Sequence, residues 1–205
     1  MRTRRAEKSE RTRQAILDAA AVLFTDPGYS STTIEAIAQR ADVANETVYK
    51  RFRNKPALLL AILEPAIVGH ADGADLLDQP AIAEIRSAGH QREQLHLLAR
   101  FSRGILERTL PAQRILASAA VSDPVAADLQ RRDRDRRRAT QEAYIDLLLA
   151  NGPLPSGLSR AEAADTYGVL ANPHTFELLV VQRGWSPEQY ERWLGDSLAH
   201  LLLHR

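Results

Sequence analysis

The chain has 205 residues, 44% of them apolar, and a net charge of +1. This length fits one large domain or two small ones with enough apolar side chains for a core. Cysteine is absent, which excludes disulfides, thiolate metal sites and cysteine nucleophiles. The basic start MRTRRAEKSERTR leads into further charged residues, and no apolar run approaches the roughly 20 residues of a membrane span. We therefore expect a cytoplasmic protein that does not enter a membrane.

The positive charge is concentrated at the N-terminal end of the sequence. Residues 1–55 contain 11 Lys and Arg against 7 Asp and Glu, which gives a balance of +4. The other 150 residues contain 16 against 19, which gives a balance of −3. This asymmetry predicts a small basic module at residues 1–55, beginning with a basic N-terminal arm, and a larger, mildly acidic one at residues 56–205.

The basic module has the residue spacing of short helices. Apolar residues recur at helical intervals from residue 9 to residue 24, which predicts a first helix that ends shortly before Pro27 and Gly28. A second helix of about two turns follows, and we predict that Thr32 and Glu35 form a capping box at its start.

The segment VANETVYKRFRNK, residues 43–55, predicts a third short helix with two different faces. Val48 and Phe52 lie four residues apart and would dock this helix on its neighbours. Tyr49 and Lys50 point away from the docking side. A tight turn joins this helix to the second one, so the three helices have the proportions of a helix-turn-helix unit.

In such a unit the outward face of the last helix meets DNA. Hydroxyl groups and cations would contact phosphates, whereas Asn45 or Lys50 could reach base edges. The first turn of the second helix would aim backbone N–H groups and the Thr33 hydroxyl at a phosphate. The alternative is that these side chains are ordinary solvated residues on a helical bundle. The predicted DNA contacts are Thr33, Asn45, Thr47, Tyr49, Lys50, Arg53 and Lys55.

The run TTIEAIAQRADVANETVYKRFRNKPALL, residues 32–59, resembles the DNA-binding domain of the tetracycline-repressor (TetR) family. The resemblance implies a homodimeric transcriptional regulator of a palindromic double-stranded operator, most typically a repressor released by a small-molecule effector. An activator role remains the alternative. The positions that carry the resemblance are Thr33, Ile37, Ala38, Thr47, Val48, Tyr49, Phe52, Lys55 and Leu58.

Two positions depart from the family pattern. Asp42 stands where members usually have Gly in the turn, and Ala44 stands where they usually have a Ser that caps the third helix. Asp tolerates the left-handed backbone that such a turn needs. Loss of the Ser cap costs about 1 kcal/mol unless Asn45 or Asp42 substitutes for it. Neither departure removes a group that would contact DNA.

The remainder of the chain predicts several further helices, with starts near Asp123, Ser159 and Ser186 and a break near Pro173. In the TetR family this half holds a small-molecule pocket and forms the dimer through its last two helices. The alternative for the apolar faces of those helices is a core within a single chain. The predicted dimer interface consists of Phe176, Leu179, Tyr190, Trp193, Leu194, Leu198 and Leu201.

The segment LQRRDRDRRRAT, residues 129–140, places Arg132 and Arg136 on an otherwise apolar helical face. They could pair with neighbouring acids on a solvated surface. Alternatively, one of them could line a ligand cavity and bind an anionic or hydrogen-bond-accepting group of the effector, because a buried arginine without an acid is costly. The predicted pocket residues are Arg100, Arg132, Arg136, Tyr144, Tyr167 and His174.

Two rival classes of function have less support. The six histidines are scattered, and the sequence has no metalloprotease motif, nucleophile elbow or glycine-rich phosphate loop. We expect His96 and His174 to be core or pocket residues. A module that binds only protein would leave the surface around Tyr49 and Lys50 unexplained. We therefore predict an all-α regulator without catalytic residues, metal or cofactor, in which a three-helix DNA-binding domain precedes a helical ligand-binding and dimerisation domain.

Overall fold

The structure is a computed structural model that describes the backbone of residues 4–67 and 79–203 and the side chains of residues 6–63 and 79–203. Every regular element within these ranges is helical. The all-α prediction is therefore confirmed for the described part of the chain. The first residues of the predicted basic arm, His70 and His204 lie outside the described residues.

Ten α-helices are described, and two short π-helical segments, Phe24–Gly28 and Glu177–Gln182, directly follow the first and the ninth of them. The backbone of Asp26 is extended within the first of these segments, so the helical path is interrupted there. The helices are α1 (Arg4–Leu23), α2 (Ile34–Arg40), α3 (Asn45–Phe52), α4 (Lys55–Ile67), α5 (Pro80–Ser87), α6 (Gln91–Ala120), α7 (Pro124–Leu149), α8 (Arg160–Leu170), α9 (Pro173–Phe176) and α10 (Pro187–Leu203).

Packing divides the chain into two compact units. The N-terminal unit consists of Met1–His70 and Pro111–Arg132, and the C-terminal unit consists of Ala71–Leu110 and Asp133–Arg205. Helices α6 and α7 each contribute residues to both units. The N-terminal unit thus takes in more than the predicted module of residues 1–55. The predicted domain boundary after residue 55 stays a prediction.

Most helix ends follow the local signals of the sequence. Ser159 and Glu162 form a capping box at the start of α8. The Asn172 side chain caps α9, so the chain breaks before Pro173 as predicted. The Ser186 hydroxyl accepts a hydrogen bond from a backbone N–H of the first turn of α10 at 3.1 Å.

The predicted capping box of Thr32 is wrong. The residue that caps α2 is Thr33, whose hydroxyl accepts the Ala36 N–H at 3.2 Å. Thr32 is buried, and its hydroxyl lies 2.7 Å from the Leu23 carbonyl oxygen and 2.8 Å from that of Gly28. Its side chain therefore closes the turn after α1 and is not available to α2.

The N-terminal unit has one apolar core beneath its helices. The side chains of α1 to α4 meet there with those from the end of α6 and the start of α7. Full burial of a large apolar side chain contributes about 1.5–3 kcal/mol, so this core holds the short α2 and α3 in place although neither would be stable alone. Its most buried members include Ile16, Phe24, Ile37, Val48, Leu58, Leu59 and Leu116.

The C-terminal unit has a second core, which is richer in aromatic side chains. The rings of Phe176 and Tyr190 meet edge to face at 4.9 Å, and so do those of Tyr144 and Tyr167 at 5.6 Å. The Tyr167 hydroxyl is 2.6 Å from that of Ser102, so this buried polar group has a partner. Burial raises the pKa of Tyr167 and keeps its phenol neutral.

Candidate nucleic-acid interface

The turn between α2 and α3 has the backbone that a helix-turn-helix unit requires. Asp42 adopts a φ of 53°, in the left-handed region that its position in the turn predicts. The Val43 N–H donates to the Ala38 carbonyl at 3.0 Å and closes the end of α2. Ala44 occupies the cap position of α3, where no side chain accepts a hydrogen bond. Neither Asp42 nor Asn45 therefore replaces the missing Ser.

Helix α3 buries one face and exposes the other, as the spacing of its residues predicts. Val48 is 1% exposed and Phe52 is 7% exposed, and both belong to the core of the N-terminal unit. Tyr49 is 48% exposed, and Lys50 beside it is also exposed. The docking pair thus fixes the direction in which the polar face points.

Lys50 on α3 and Arg53 directly after it have no acid partner within the described ranges. Lys50 and Arg53 are exposed, and neither forms an ion pair with a described carboxylate. Glu46 stands four residues before Lys50, which is a favourable spacing for a pair, yet the two do not form one. Exposed cations without acids make a positive surface that suits a polyanion.

Lys55, one of the predicted phosphate contacts, ties the start of α4 to the turn after α1. Its ammonium donates to the Thr32 carbonyl at 2.8 Å and lies 3.4 Å from the Ser30 carbonyl oxygen. It also lies 4.3 Å from the centroid of the Tyr29 ring, within cation–π distance. Burial lowers the pKa of Lys55, although the Asp123 carboxylate acts in the opposite direction. The Lys55 ammonium has three N–H donors, and these carbonyl groups leave only some of them for a phosphate.

The same turn is also tied to the junction of α6 and α7. The Tyr29 hydroxyl donates to the Asp123 carboxylate at 2.5 Å, and the hydroxyls of Ser30 and Ser122 lie 2.7 Å apart. Tyr29 and Asp123 are 94 residues apart in the sequence. The sequence predicts a helix start near Asp123 but contains no signal for Tyr29 as its partner.

Asp123 has a second role as the cap of α7. It is 9% exposed, and one of its oxygens accepts the backbone N–H groups of Val125 at 2.9 Å and Ala126 at 3.2 Å. Burial by itself would raise the pKa of Asp123, but the hydrogen bond from Tyr29, the two backbone bonds and the Lys55 charge together lower it. Burial and the same carboxylate raise the pKa of Tyr29, so the pair consists of an anionic acceptor and a neutral donor.

A groove of about 630 Å³ lies between α1 and α3, next to the outward face. The Arg51 guanidinium donates to the Ser9 hydroxyl at 3.1 Å and so links the two helices. Two predicted DNA contacts, Thr47 and Lys50, line the groove, but its other residues were not among the predicted site residues. The lining consists of Lys8, Ser9, Thr12, Glu46, Thr47, Lys50 and Arg51.

Most arginines of the basic run on α7 are paired with acids of their own helix. Arg132 is 77% exposed and lies 2.5 Å from a carboxylate oxygen of Asp128. Arg136 lies 3.2 Å from Asp133, whose side chain is 1% exposed. The physical reason for an anionic effector, an arginine without an acid, is therefore absent at both positions.

The other predicted pocket residues divide between surface and core. Arg100 is half exposed and pairs with Glu84 at 2.8 Å, whereas Tyr144 and Tyr167 are buried and His174 is exposed. Arg100 lines a pocket of about 260 Å³ within the C-terminal unit. The pocket is lined by Gln79, Ala81, Glu84, Ile85, Leu97, Arg100, Phe101, Gly104 and Arg108.

Four of the seven predicted dimer residues are buried inside the chain's own C-terminal unit. Leu179 and Trp193 are half-buried, and Leu201 is 48% exposed. A second copy could contact these three and the neighbouring exposed side chains of Leu178 and Val181. The four buried residues are Phe176, Tyr190, Leu194 and Leu198.

The histidines fit the expectations from the sequence only in part. The side chain of His96 is 41% exposed and lies 3.7 Å from Asp196. His174 is exposed, so a core position is wrong for it, and its pocket role stays a prediction. Within the described residues, no group of three His, Asp or Glu side chains could hold a metal ion. No helix of the described part is long and apolar enough to cross a membrane.

Residues 16–62 match the family model for bacterial regulatory proteins of the tetR family. The matched segment runs from α1 into α4 and contains α2, the turn and α3. The uncharacterized HTH-type transcriptional regulator YvkB of Bacillus subtilis is 42% identical over 52 residues, which are 25% of this chain and 28% of YvkB. Residues 16–62 therefore match the tetR family of bacterial regulatory proteins, as the resemblance of residues 32–59 implied.

Solved structures are similar over nearly the whole chain. A Saccharomonospora viridis protein crystallised in complex with choline is 23% identical with a TM-score of 0.69, and the match covers 94% of this chain and 98% of that one. NalD, the secondary repressor of the MexAB-OprM multidrug efflux pump in Pseudomonas aeruginosa, is 23% identical with a TM-score of 0.68. This match covers 96% of this chain and 98% of NalD. At these identities the likeness shows the fold.

Proposed function

We propose that the protein is a DNA-binding transcriptional regulator, specifically a repressor that leaves its operator when a small-molecule ligand binds. The observation that carries the proposal is the outward face of α3. The exposed Tyr49 hydroxyl and the exposed Lys50, which has no acid partner among the described residues, stand there on a helix that Val48 and Phe52 dock against the core. This face lies inside the segment that matches the tetR family.

The side chains of α3 divide into two roles on DNA. The hydroxyls of Thr47 and Tyr49 donate to phosphate oxygens, and Arg53 neutralises a phosphate. Asn45 and Lys50 reach base edges, where Asn favours adenine and Lys favours guanine. The first group positions the protein on any duplex, and the second selects the sequence.

Two residues outside α3 support the same docking. The Thr33 hydroxyl uses its oxygen to cap α2 and keeps its proton for a phosphate beside the helix N-terminus. The Lys55 ammonium donates to the Thr32 carbonyl in the adjoining turn, so not all of its three N–H donors are available to a phosphate. We expect Lys55 to matter more for the stability of the N-terminal unit than for the salt dependence of DNA binding.

We propose further that the regulator is a homodimer on a palindromic operator, because a two-fold dimer presents two copies of α3 to half-sites about 34 Å apart. Exposed apolar side chains at Leu178, Val181 and Leu201 support a contact surface in the last helices. Leu201→Glu should yield a folded monomer, since this side chain is already half exposed in one chain. Sedimentation equilibrium measures this, and a wild-type monomer at micromolar concentration would contradict the proposal.

The effector would bind in the C-terminal unit. The pocket lined by Arg100 and Phe101, at about 260 Å³, is slightly smaller than the roughly 300–1,000 Å³ of small-molecule sites. A ligand that binds the DNA-incompetent arrangement more tightly shifts the population away from the operator by no more than that difference in affinity. The protein thus acts by binding and not by catalysis, at the chromosome in the bacterial cytoplasm.

The test is DNA binding by the full chain. Selection from a random-sequence duplex pool should enrich one palindromic sequence, and binding should weaken as salt rises. Asn45→Ala should lose the enrichment while it keeps non-specific binding, because it removes a base contact and not a phosphate contact. A chain that binds no duplex at low salt would refute the function.

A further inference from the structure

The N-terminal turns of α1 carry polar side chains on the helical face that is buried further along. Ile16 is 0% exposed and Leu17 is 8% exposed in the core of the N-terminal unit. One turn earlier on that face stands Thr12, and two turns earlier stand Lys8 and Ser9. A helix that only covered a core would continue the stripe with apolar residues. The polar continuation is the feature that needs an explanation.

These side chains form one wall of the groove between α1 and α3, and α3 forms the other. The groove contains three cations, Lys8, Lys50 and Arg51, against the single acid Glu46. Lys8 is exposed and forms no ion pair with a described carboxylate. The groove therefore has a surplus of positive charge that the fold itself does not neutralise.

The distance between the two walls is fixed by a hydrogen bond. Arg51 donates to the Ser9 hydroxyl at 3.1 Å, which holds α1 beside α3. A guanidinium has five donors, so Arg51 keeps others for an anion. The Thr12 hydroxyl donates to the Lys8 carbonyl at 3.0 Å and remains on the groove wall. Lys8 is thus presented by an ordered helix next to the α3 face.

We propose that the α1–α3 groove binds a phosphate of the DNA backbone adjacent to those that α3 contacts, with Lys8 as its principal contact and Arg51 as the residue that positions α1. The inference rests on the proposed function. Two observations favour DNA as the occupant: Thr47 and Lys50 line both this groove and the α3 face, and the surplus charge is positive. Glu46 repels phosphate from its own side and so confines the anion to the side of Lys8.

Two substitutions of opposite sign in the same groove test the proposal. Lys8→Gln and Glu46→Gln are compared with Arg86→Gln, which removes an exposed cation of α5 in the C-terminal unit. Fluorescence anisotropy with a short random-sequence duplex gives the affinity from about 50 to about 200 mM salt, so that no operator needs to be known. A polyglutamate peptide serves as a second labelled probe.

The expected result is a lower affinity for Lys8→Gln, about threefold or more at low salt, and a salt slope reduced by about 0.9. Glu46→Gln should bind more tightly than wild type, and Arg86→Gln should behave like wild type. A Lys8→Gln variant with wild-type affinity and slope, while Arg53→Gln lowers both, would overturn the groove proposal and leave the proposed function standing. A Lys8→Gln variant that loses affinity for polyglutamate but keeps wild-type affinity for the duplex would also overturn the groove proposal. Absence of duplex binding by wild type would refute both.

Discussion

Two helices of the protein carry dense basic charge, and their cations have opposite surroundings. On α7, Arg132 lies against Asp128 and Arg136 lies against the buried carboxylate of Asp133. Neither Lys50 on α3 nor Arg53 directly after α3 forms an ion pair with a described carboxylate. The longer basic run is thus the one in which most of the arginines are paired with acids.

The comparison shows that the density of charge in a sequence does not identify a binding surface. On α7 the acids stand three or four residues from the arginines, so each pair forms along one helix. On α3 the same spacing relates Glu46 to Lys50, yet the two side chains remain apart in the groove. Availability of a cation depends on where its side chain points, and α3 points its cations outward because Val48 and Phe52 point inward.

The largest expected effect is the loss of the buried acid on α7. Asp133→Asn would leave Arg136 and Arg137, both partly buried, without their carboxylate. The free energy of unfolding should fall by about 2 kcal/mol, because hydrogen bonds to charged groups are worth about 1.5–3 kcal/mol. Urea denaturation measures this. Asp135→Asn, at an exposed position on the same helix, is the control and should unfold like wild type.

An unchanged urea midpoint for Asp133→Asn would mean that the pairing on α7 contributes nothing to stability. The basic run on α7 would then have no structural role to set against the functional role of α3.

A matched pair of charge removals tests the contrast directly. Arg53→Met should weaken binding to random-sequence DNA by about 1 kcal/mol at low salt and reduce the salt slope by about 0.9, because Arg53 is assigned to a phosphate. Arg132→Met removes the same charge from α7, where Asp128 already neutralises it, and should change neither quantity. Anisotropy titrations at several salt concentrations give both values. Equal losses in the two variants would show that both runs face DNA.

Asp123 adds a charge that supports the fold of the N-terminal unit and depends on pH. Its folded pKa is lowered, so its contribution to stability is fully present above the unfolded pKa of about 3.9 and is lost as pH falls through the folded pKa. Asp123→Asn should unfold about 1 kcal/mol more easily than wild type at neutral pH. The urea midpoints of wild type and Asp123→Asn should converge as the pH falls below the folded pKa of Asp123. A gap that stays constant down to acid pH would contradict the assignment.

The smallest expected effect is a gain at the start of α3. Ala44 has an extended backbone and no side-chain cap, so Ala44→Ser should raise the free energy of unfolding by about 0.5–1 kcal/mol. The salt slope of DNA binding should stay the same, because the cap adds no charge. Ala139→Ser, at an exposed position inside α7, controls for the substitution itself and should be neutral or slightly destabilising. A loss of stability in Ala44→Ser would show that the cap site cannot accept the hydroxyl.

The sequence alone determined the features that depend on neighbours within a few residues. The docking pair Val48 and Phe52, the turn at Asp42, the caps at Ser159 and Ser186 and the helical nature of the described chain all follow from spacing and local hydrogen-bonding chemistry. The predicted DNA contacts on α3 share this origin, since the inward pair fixes which side chains point outward.

Tertiary structure decided what each side chain meets from elsewhere in the chain. Tyr29 donates a hydrogen bond to Asp123, which lies 94 residues further along the chain. Lys55 at the start of α4 donates to the Thr32 carbonyl in the turn after α1. Phe176 and Tyr190 have the spacing of an interface but pack into their own unit, since an apolar face is satisfied by whichever surface the fold brings to it. The periodicity of apolar residues predicts that a helix face will be buried. Only tertiary packing decides which surface covers that face.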